Sequence, residues 1–277
     1  MAAESDFRYY HYNPSLAAAA IFTVLFSLTS LLHLYQLIRA RTWYFIPLVV
    51  GAIFEVIGYI ARIISSNQSP NWTLGPFIIQ SITLLVAPAL FAASIYMVLG
   101  RIIVAIDGEK FSLIRKKWLT KIFVTSDVFS FLVLSSGAGI LSGKNGNNQS
   151  LGQDIILAGL VIQIIGFGIF VFVALLFHKR MFKNPTPVSL QSDMPWEKHL
   201  YTLYFVSLLI MVRSLIRVIE YIQGNDGYIL GHEVFLYIFD GTLMFIVVAV
   251  FNGIHPSELI PGRKKISHER DVSMEPL

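Results

Sequence analysis

No cysteine occurs anywhere in the 277 residues, and only 14% of them are charged. The first absence removes disulfides, thiolate metal sites and cysteine nucleophiles together. The second is a deficit against the roughly 25% of soluble domains, and it points to lipid as the solvent. The seven histidines (His11, His33, His178, His199, His232, His255 and His268) show neither His-x-x-x-His nor His-Glu-x-x-His spacing. A zinc centre needs three or four convergent ligands, so none is assigned. The stretch from Gly137 to Asn145 has the glycines and lysine of a phosphate loop, but five residues separate Gly137 from Gly143, and Asn145 follows Lys144. A phosphate loop requires four intervening residues and a Ser or Thr, so the chain encodes no ATP-driven pump. No serine sits in a nucleophile elbow. Catalytic residues, metal and cofactor are therefore all read as none. Internal repeats are also missing. Residues 1–15 are polar, with Glu4, Asp6, Arg8 and His11, so no cleavable signal is expected and the first apolar run should insert and stay.

What the chain has instead is apolar runs of spanning length, each needing about 20 residues. They are assigned to 16–38, 44–64, 75–99, 119–142, 154–177, 199–219 and 232–253, with Gly100-Arg101 closing the third. The expected fold is all-α: one seven-helix membrane domain over 16–257, a short N-terminal segment 1–15 and a basic tail 258–277. Lys and Arg concentrate in alternate connections: Arg39 and Arg41; Arg101, Lys110, Arg115, Lys116 and Lys117; Lys179, Arg180, Lys183 and Lys198; and the tail from Arg263 to Arg270. The positive-inside rule places these in the cytoplasm, with the N-terminus outside and the C-terminus inside. The sequons at Asn67, Asn71 and Asn148 fall on the expected outer side as glycosylation acceptors, whereas Asn184 is disqualified by Pro185. The basic segments 110–117 and 263–270 should lie on anionic headgroups, at about 1 kcal/mol per residue. The +4 net charge thus reads as topology, not as nucleic-acid binding.

Six ionisable residues fall inside the spans: Glu55, Arg62, Asp127, Arg213, Arg217 and Asp240. A charge at the bilayer centre costs roughly 2.5–3.5 kcal/mol, so such residues pair, or serve a pathway. Glu55, Tyr59 and Arg62 follow i, i+4, i+7 and share one helix face. Arg213, Arg217, Glu220 and Tyr221 form a second such stripe, and Glu233, Tyr237 and Asp240 a third. The stripes of spans two, six and seven must meet one another. Span direction sets Arg62, Arg217, Glu220 and Glu233 at similar outer depth, with Glu55, Arg213 and Asp240 nearer the midplane. Two readings follow: a polar network that glues helices together, or a cavity in the outer half that receives a polar headgroup. Pro88 in the third span should kink the helix and free a carbonyl. Gly137, Gly139, Gly159, Gly166 and Gly168 are read as packing devices, and His33 and His232 as structural histidines.

These residues resemble the fungal lipid-translocating exporters, a seven-span family with aminocholesterol-resistance, sphingoid long-chain-base export and protoporphyrin-uptake members. The resemblance rests on Glu55-x-x-Gly58-Tyr59-x-x-Arg62, on Ala87-Pro88 through Tyr96 with Leu99-Gly100-Arg101, on Asp127, and on Arg213-Ser-x-x-Arg217-x-x-Glu220-Tyr221. Glu233, Tyr237, Asp240 and His255-Pro256 complete it. Two features expected of the family are replaced: a Trp soon after Glu233 and a Pro after Asp240 give way to Val234-Phe235 and Gly241-Thr242. The resemblance implies an exporter or flippase-like translocase of amphipathic lipid-like molecules such as sphingoid bases, resistance to toxic amphiphiles, and residence in the plasma membrane, with vacuole or endoplasmic reticulum as alternatives. Membrane lipids and amphipathic small molecules would be its partners. A seven-span sensor signalling through its cytoplasmic loops and an intramembrane lipid-modifying enzyme are the rival expectations.

Overall fold

The fold was obtained as a computed structural model that describes residue 10 and residues 12–141, 149–191, 195–224 and 227–259. Among these residues, seven helices long and apolar enough to cross a membrane follow one another: Leu16–Ala40, Ile46–Asn67, Leu74–Ala105, Lys116–Leu141, Gln149–Lys183, Trp196–Gln223 and Glu233–Gly253. All seven expected spans are present, and the protein is an integral membrane protein.

Local chemistry marks the helix ends. Ser15 caps the first span, its hydroxyl accepting from Ala18 N at 3.3 Å, which supplies one of the donors a helix start leaves unpaired. Arg41 ends that span in the left-handed region (φ 53°) and donates its N–H to Ile38 O. Pro47 stands in the first turn of the second helix, where a missing N–H costs nothing.

Several helices outrun the apolar runs that announced them, the third and fifth by the most at their C-terminal ends. The third continues past Gly100-Arg101 to Ala105, and the fifth past Phe177 to Lys183, so Arg101, Lys179 and Arg180 are helical and not in loops. Hydropathy marks where lipid begins, whereas the i→i−4 ladder continues into the headgroup layer with long cations on its outer turns. Arg101 lies over the Tyr44 ring at 4.7 Å.

The third span is the central one. Its most apolar window is 61% buried, against 28% for the first and fourth spans, and it packs on the second, fourth and sixth. The fourth and fifth approach closely at Gly137 and Gly159, where a Cβ would lie 2.9 Å from Gly152 O and 3.0 Å from Leu134 N. The expected packing role holds there, while Gly139 has open space around it. At the opposite end of the bundle from the N-terminus, His33 Nε2 pairs with Val248 O at 2.9 Å, so this histidine is a tie between the first and seventh spans.

Candidate functional site

The three charged stripes meet. Arg62, fully buried, pairs with Glu233 (Nη2 to Oε1, 2.7 Å) and donates from Nε to Tyr237 Oη at 2.9 Å. Deeper, Asp240 lies between two guanidiniums. Arg213 Nε stands 2.6 Å from its Oδ1, and Arg217 reaches both of its oxygens, Nη2 to Oδ2 and Nε to Oδ1. Arg217 also donates from Nη1 to both Glu220 oxygens at 3.1 Å. The Arg213 Nε–H does not point along a hydrogen-bond direction, so that contact is ionic; the aligned bond of this side chain runs from Nη2 to Leu84 O at 2.8 Å. Arg217, expected at the depth of Glu220, thus also reaches Asp240, which was expected deeper, and the Leu84 carbonyl is the one that Pro88 was expected to free.

The seventh span departs from the α-helical spacing expected for it. Leu236–Thr242 is wound as a π-helix, with Thr242 Oγ1 donating to Tyr237 O, five residues back, at 2.9 Å. Such wide turns are frequent at functional sites. This one stands where the family resemblance led us to expect a proline, and it buries Asp240 and Gly241. A Cβ at Gly241 would lie 2.6 Å from Tyr59 Oη and 2.7 Å from the Phe22 ring, so glycine is what lets the π turn close onto the second span. Tyr59 is stacked on Phe22 and Phe26, at centroid distances of 5.3 and 5.7 Å, and these rings wall the network off along the first span.

Glu55 stands behind the network. It is 1% exposed, and its Oε2 has no hydrogen-bond partner among the described residues. It forms no ion pair among them, although Arg213 and Arg217 lie within electrostatic reach. The Tyr59 hydroxyl beside it is equally without a partner.

In front of the network lies a cavity of about 490 Å³, lined by Arg62, Arg213, Arg217, Glu220, Tyr221 and Asp240. Its remaining wall is largely apolar, with Phe77, Ile78, Ile82 and Leu85 from the third span, Phe131 from the fourth and Phe239 from the seventh. That volume falls in the range of small-molecule sites, about 300–1,000 Å³.

Tyr10 and Tyr12 of the N-terminal segment line the cavity, a contact not expected from the sequence. Tyr12 Oη accepts from Arg62 Nη2 at 3.0 Å, and Ser15 N donates to Glu233 Oε1 at 2.8 Å. Tyr10 Oη donates to Gln80 Oε1 at 2.9 Å, pairs with the Ser65 hydroxyl at 3.1 Å, and its ring meets those of Trp72 and Phe77 at 5.5 Å each. Burial pushes the Tyr10 phenol above its ordinary pKa, against the opposing pull of the Ser65 bond. The tyrosines at 9, 10 and 12, next to the capping Ser15, are the signal that could have marked this segment as docked.

One expected member stands apart. Asp127 accepts from Tyr96 Oη at 2.9 Å, within a cluster of Tyr96, Phe123, Phe167 and Phe170, and it does not line the cavity. Its spacing on the fourth span carried no partner, so sequence gave its depth but not its direction. His232 lines the cavity, with Nδ1 paired to Tyr228 O at 2.8 Å. Asn67 and Asn71 are exposed at the N-terminal end of the bundle; Asn148 and the basic tail lie outside the described residues.

A profile of the family described as RTA1 like protein matches residues 48–263. The chain is 36% identical to Protein RTA1 of Saccharomyces cerevisiae, over 90% of this chain and 85% of that one. It is 35% identical to Protoporphyrin uptake protein 1 of the same yeast, covering 90% and 92%. It is 27% identical to the yeast sphingoid long-chain base transporter RSB1, covering 95% and 77%. No solved structure matches it.

Proposed function

The chain belongs to the RTA1-like family of fungal membrane proteins, and on that premise we propose that it translocates amphipathic, positively charged lipid-like molecules, of the sphingoid-base kind, through the recess between spans two, three, six and seven. The observation that carries this reading is the charge count of the recess. Arg62, Arg213 and Arg217 stand among four carboxyl groups, Glu220 and Asp240 on the cavity wall and Glu55 and Glu233 outside it, which leaves this network one negative charge in excess when all are ionised. An ammonium headgroup supplies the missing charge.

Shape agrees with charge. The carboxylates of Asp240 and Glu220 border a cavity whose other wall is apolar, so a headgroup can dock on the acids while its chain lies along Phe77, Ile78, Ile82 and Phe239. The arginine partners keep those acids ionised without solvent, and a polar path of this kind lowers the barrier that hydrocarbon sets to a charged headgroup. Relatives bearing the names of a sphingoid long-chain base transporter and a probable lipid transporter support transport over catalysis. With the N-terminus outside, as the basic loops indicate, the recess would face the outer half of the bilayer, and export with resistance to toxic amphiphiles is the corresponding role at the plasma membrane.

The test is direct. Purified protein in liposomes should accelerate the movement of a fluorescently labelled sphingoid base between leaflets, and Asp240→Asn with Glu220→Gln should abolish the acceleration while remaining monodisperse. Equal movement with and without the wild-type protein ends this reading.

A further inference from the structure

With every group ionised the empty network carries one surplus negative charge and needs a counter-charge of its own, and among its described carboxyl groups only Glu55 is held by no cation. Among the described residues Glu55 forms no ion pair, its Oε2 is without a hydrogen-bond partner, and the side chain is 1% exposed. Buried carboxylates are ordinarily hydrogen-bonded or paired. A lone oxygen in this position is held at lower cost as O–H.

Building on the cationic-substrate reading, we propose that Glu55 is the proton site of a one-for-one cation–proton exchange: it holds a proton while the recess is empty and releases it when a monovalent cationic headgroup takes Asp240.

Geometry supplies the linkage. Both Arg213 and Arg217 rest on Asp240. A headgroup that claims an Asp240 oxygen displaces at least part of that hold, and the guanidiniums then require another anion within reach. Glu220 already takes Arg217. Glu55, behind them, is the remaining one. Its Oε2–H bond breaks, the electron pair stays on the carboxylate, and solvent water takes the proton. The incoming positive charge and the departing proton cancel, so the buried site keeps the same total charge throughout. When the headgroup leaves, Asp240 recovers both arginines and Glu55 takes a proton back.

The groups around Glu55 are compatible with this role. Its own span adds Tyr59 and Arg62, and Arg62 is committed to Glu233. The sixth span presents Arg213 and Arg217, and the seventh Asp240 and Tyr237. Spans one and three meet this face of the second with Phe22, Phe26, Leu84 and Phe91.

The experiment uses the full chain in detergent and labelled N,N,N-trimethylsphingosine, whose fixed charge prevents the probe from carrying a proton itself. Binding is followed by scintillation proximity, and proton release by an indicator dye in weak buffer. Wild-type protein should release about one proton per probe bound, as linkage between the two sites requires. Asp127→Asn should release the same, because Asp127 lies outside the recess, and Glu55→Gln should release none for each probe it binds. Wild-type binding without proton release overturns the exchange and leaves the transport reading standing. Undiminished release from Glu55→Gln, or its loss in Asp127→Asn, overturns the assignment to Glu55. Absence of probe binding to wild-type protein overturns the cationic-substrate reading and the exchange with it.

Discussion

The Nη2 of Arg213 donates to the carbonyl oxygen of Leu84 at 2.8 Å, and Leu84 lies four residues before Pro88 in the third span. Proline has no N–H to return to that carbonyl, so an acceptor inside a spanning helix is left for a neighbouring helix to satisfy. The donor is the guanidinium that also contacts Asp240 of the seventh span. One proline therefore joins the central helix to the charged network.

Arg213→Ala should destabilise the protein by about 1–3 kcal/mol, since it leaves the buried Leu84 carbonyl without a donor while Arg217 keeps its hold on Asp240. In a Pro88→Ala background the loss should be smaller by about 1 kcal/mol, because the new amide serves Leu84 O. Thermal unfolding in detergent of the four proteins in the cycle measures this, and strict additivity would contradict the shared acceptor.

Arg62 and Glu233 form the other strong tie, with Arg62 fully buried. Arg62→Met or Glu233→Met alone should cost about 3–5 kcal/mol, and the double Met variant should recover most of it, since two apolar side chains leave no charge unpaired. The readout is again the unfolding temperature. A double variant as unstable as the sum of the singles would show that the pair itself contributes net stability.

Tyr59 and Gly241 make a steric prediction. Gly241→Ala should cost about 1–3 kcal/mol as an overpacked contact, with its new Cβ against Tyr59 Oη. Tyr59→Phe removes a hydroxyl that has no hydrogen-bond partner among the described residues, so alone it should be neutral or stabilising. Combined with Gly241→Ala, it should return part of the loss. A Tyr59→Phe protein destabilised by more than about 1 kcal/mol would mean that the hydroxyl is bonded after all.

Asp127 separates structural from functional acids. Tyr96→Phe and Asp127→Asn should each lower stability by about 1–2 kcal/mol through their shared buried bond. At matched protein amounts, neither should alter the movement of a labelled sphingoid base in liposomes, whereas Asp240→Asn should. Loss of movement in Asp127→Asn at full stability would bring the fourth span into the pathway.

The sequence by itself determined the seven spans and the convergence of three charged stripes, because both follow from one strong constraint: lipid tolerates neither an unpaired charge nor an unpaired backbone group. The same logic exposed the freed carbonyl before Pro88. The tertiary structure decided the rest. Arg217 reaches Asp240 as well as Glu220, Asp127 turns toward Tyr96, and Glu55 stands behind the network without an ion-pair partner among the described residues, since each depends on how a helix is rotated about its axis. The π turn at Leu236–Thr242 alters the residue period on which stripe counting relies. The docking of Tyr12 and Ser15 on Arg62 and Glu233 joins residues 50 and 218 positions apart, and no local pattern encodes a contact that exists only after the bundle has closed.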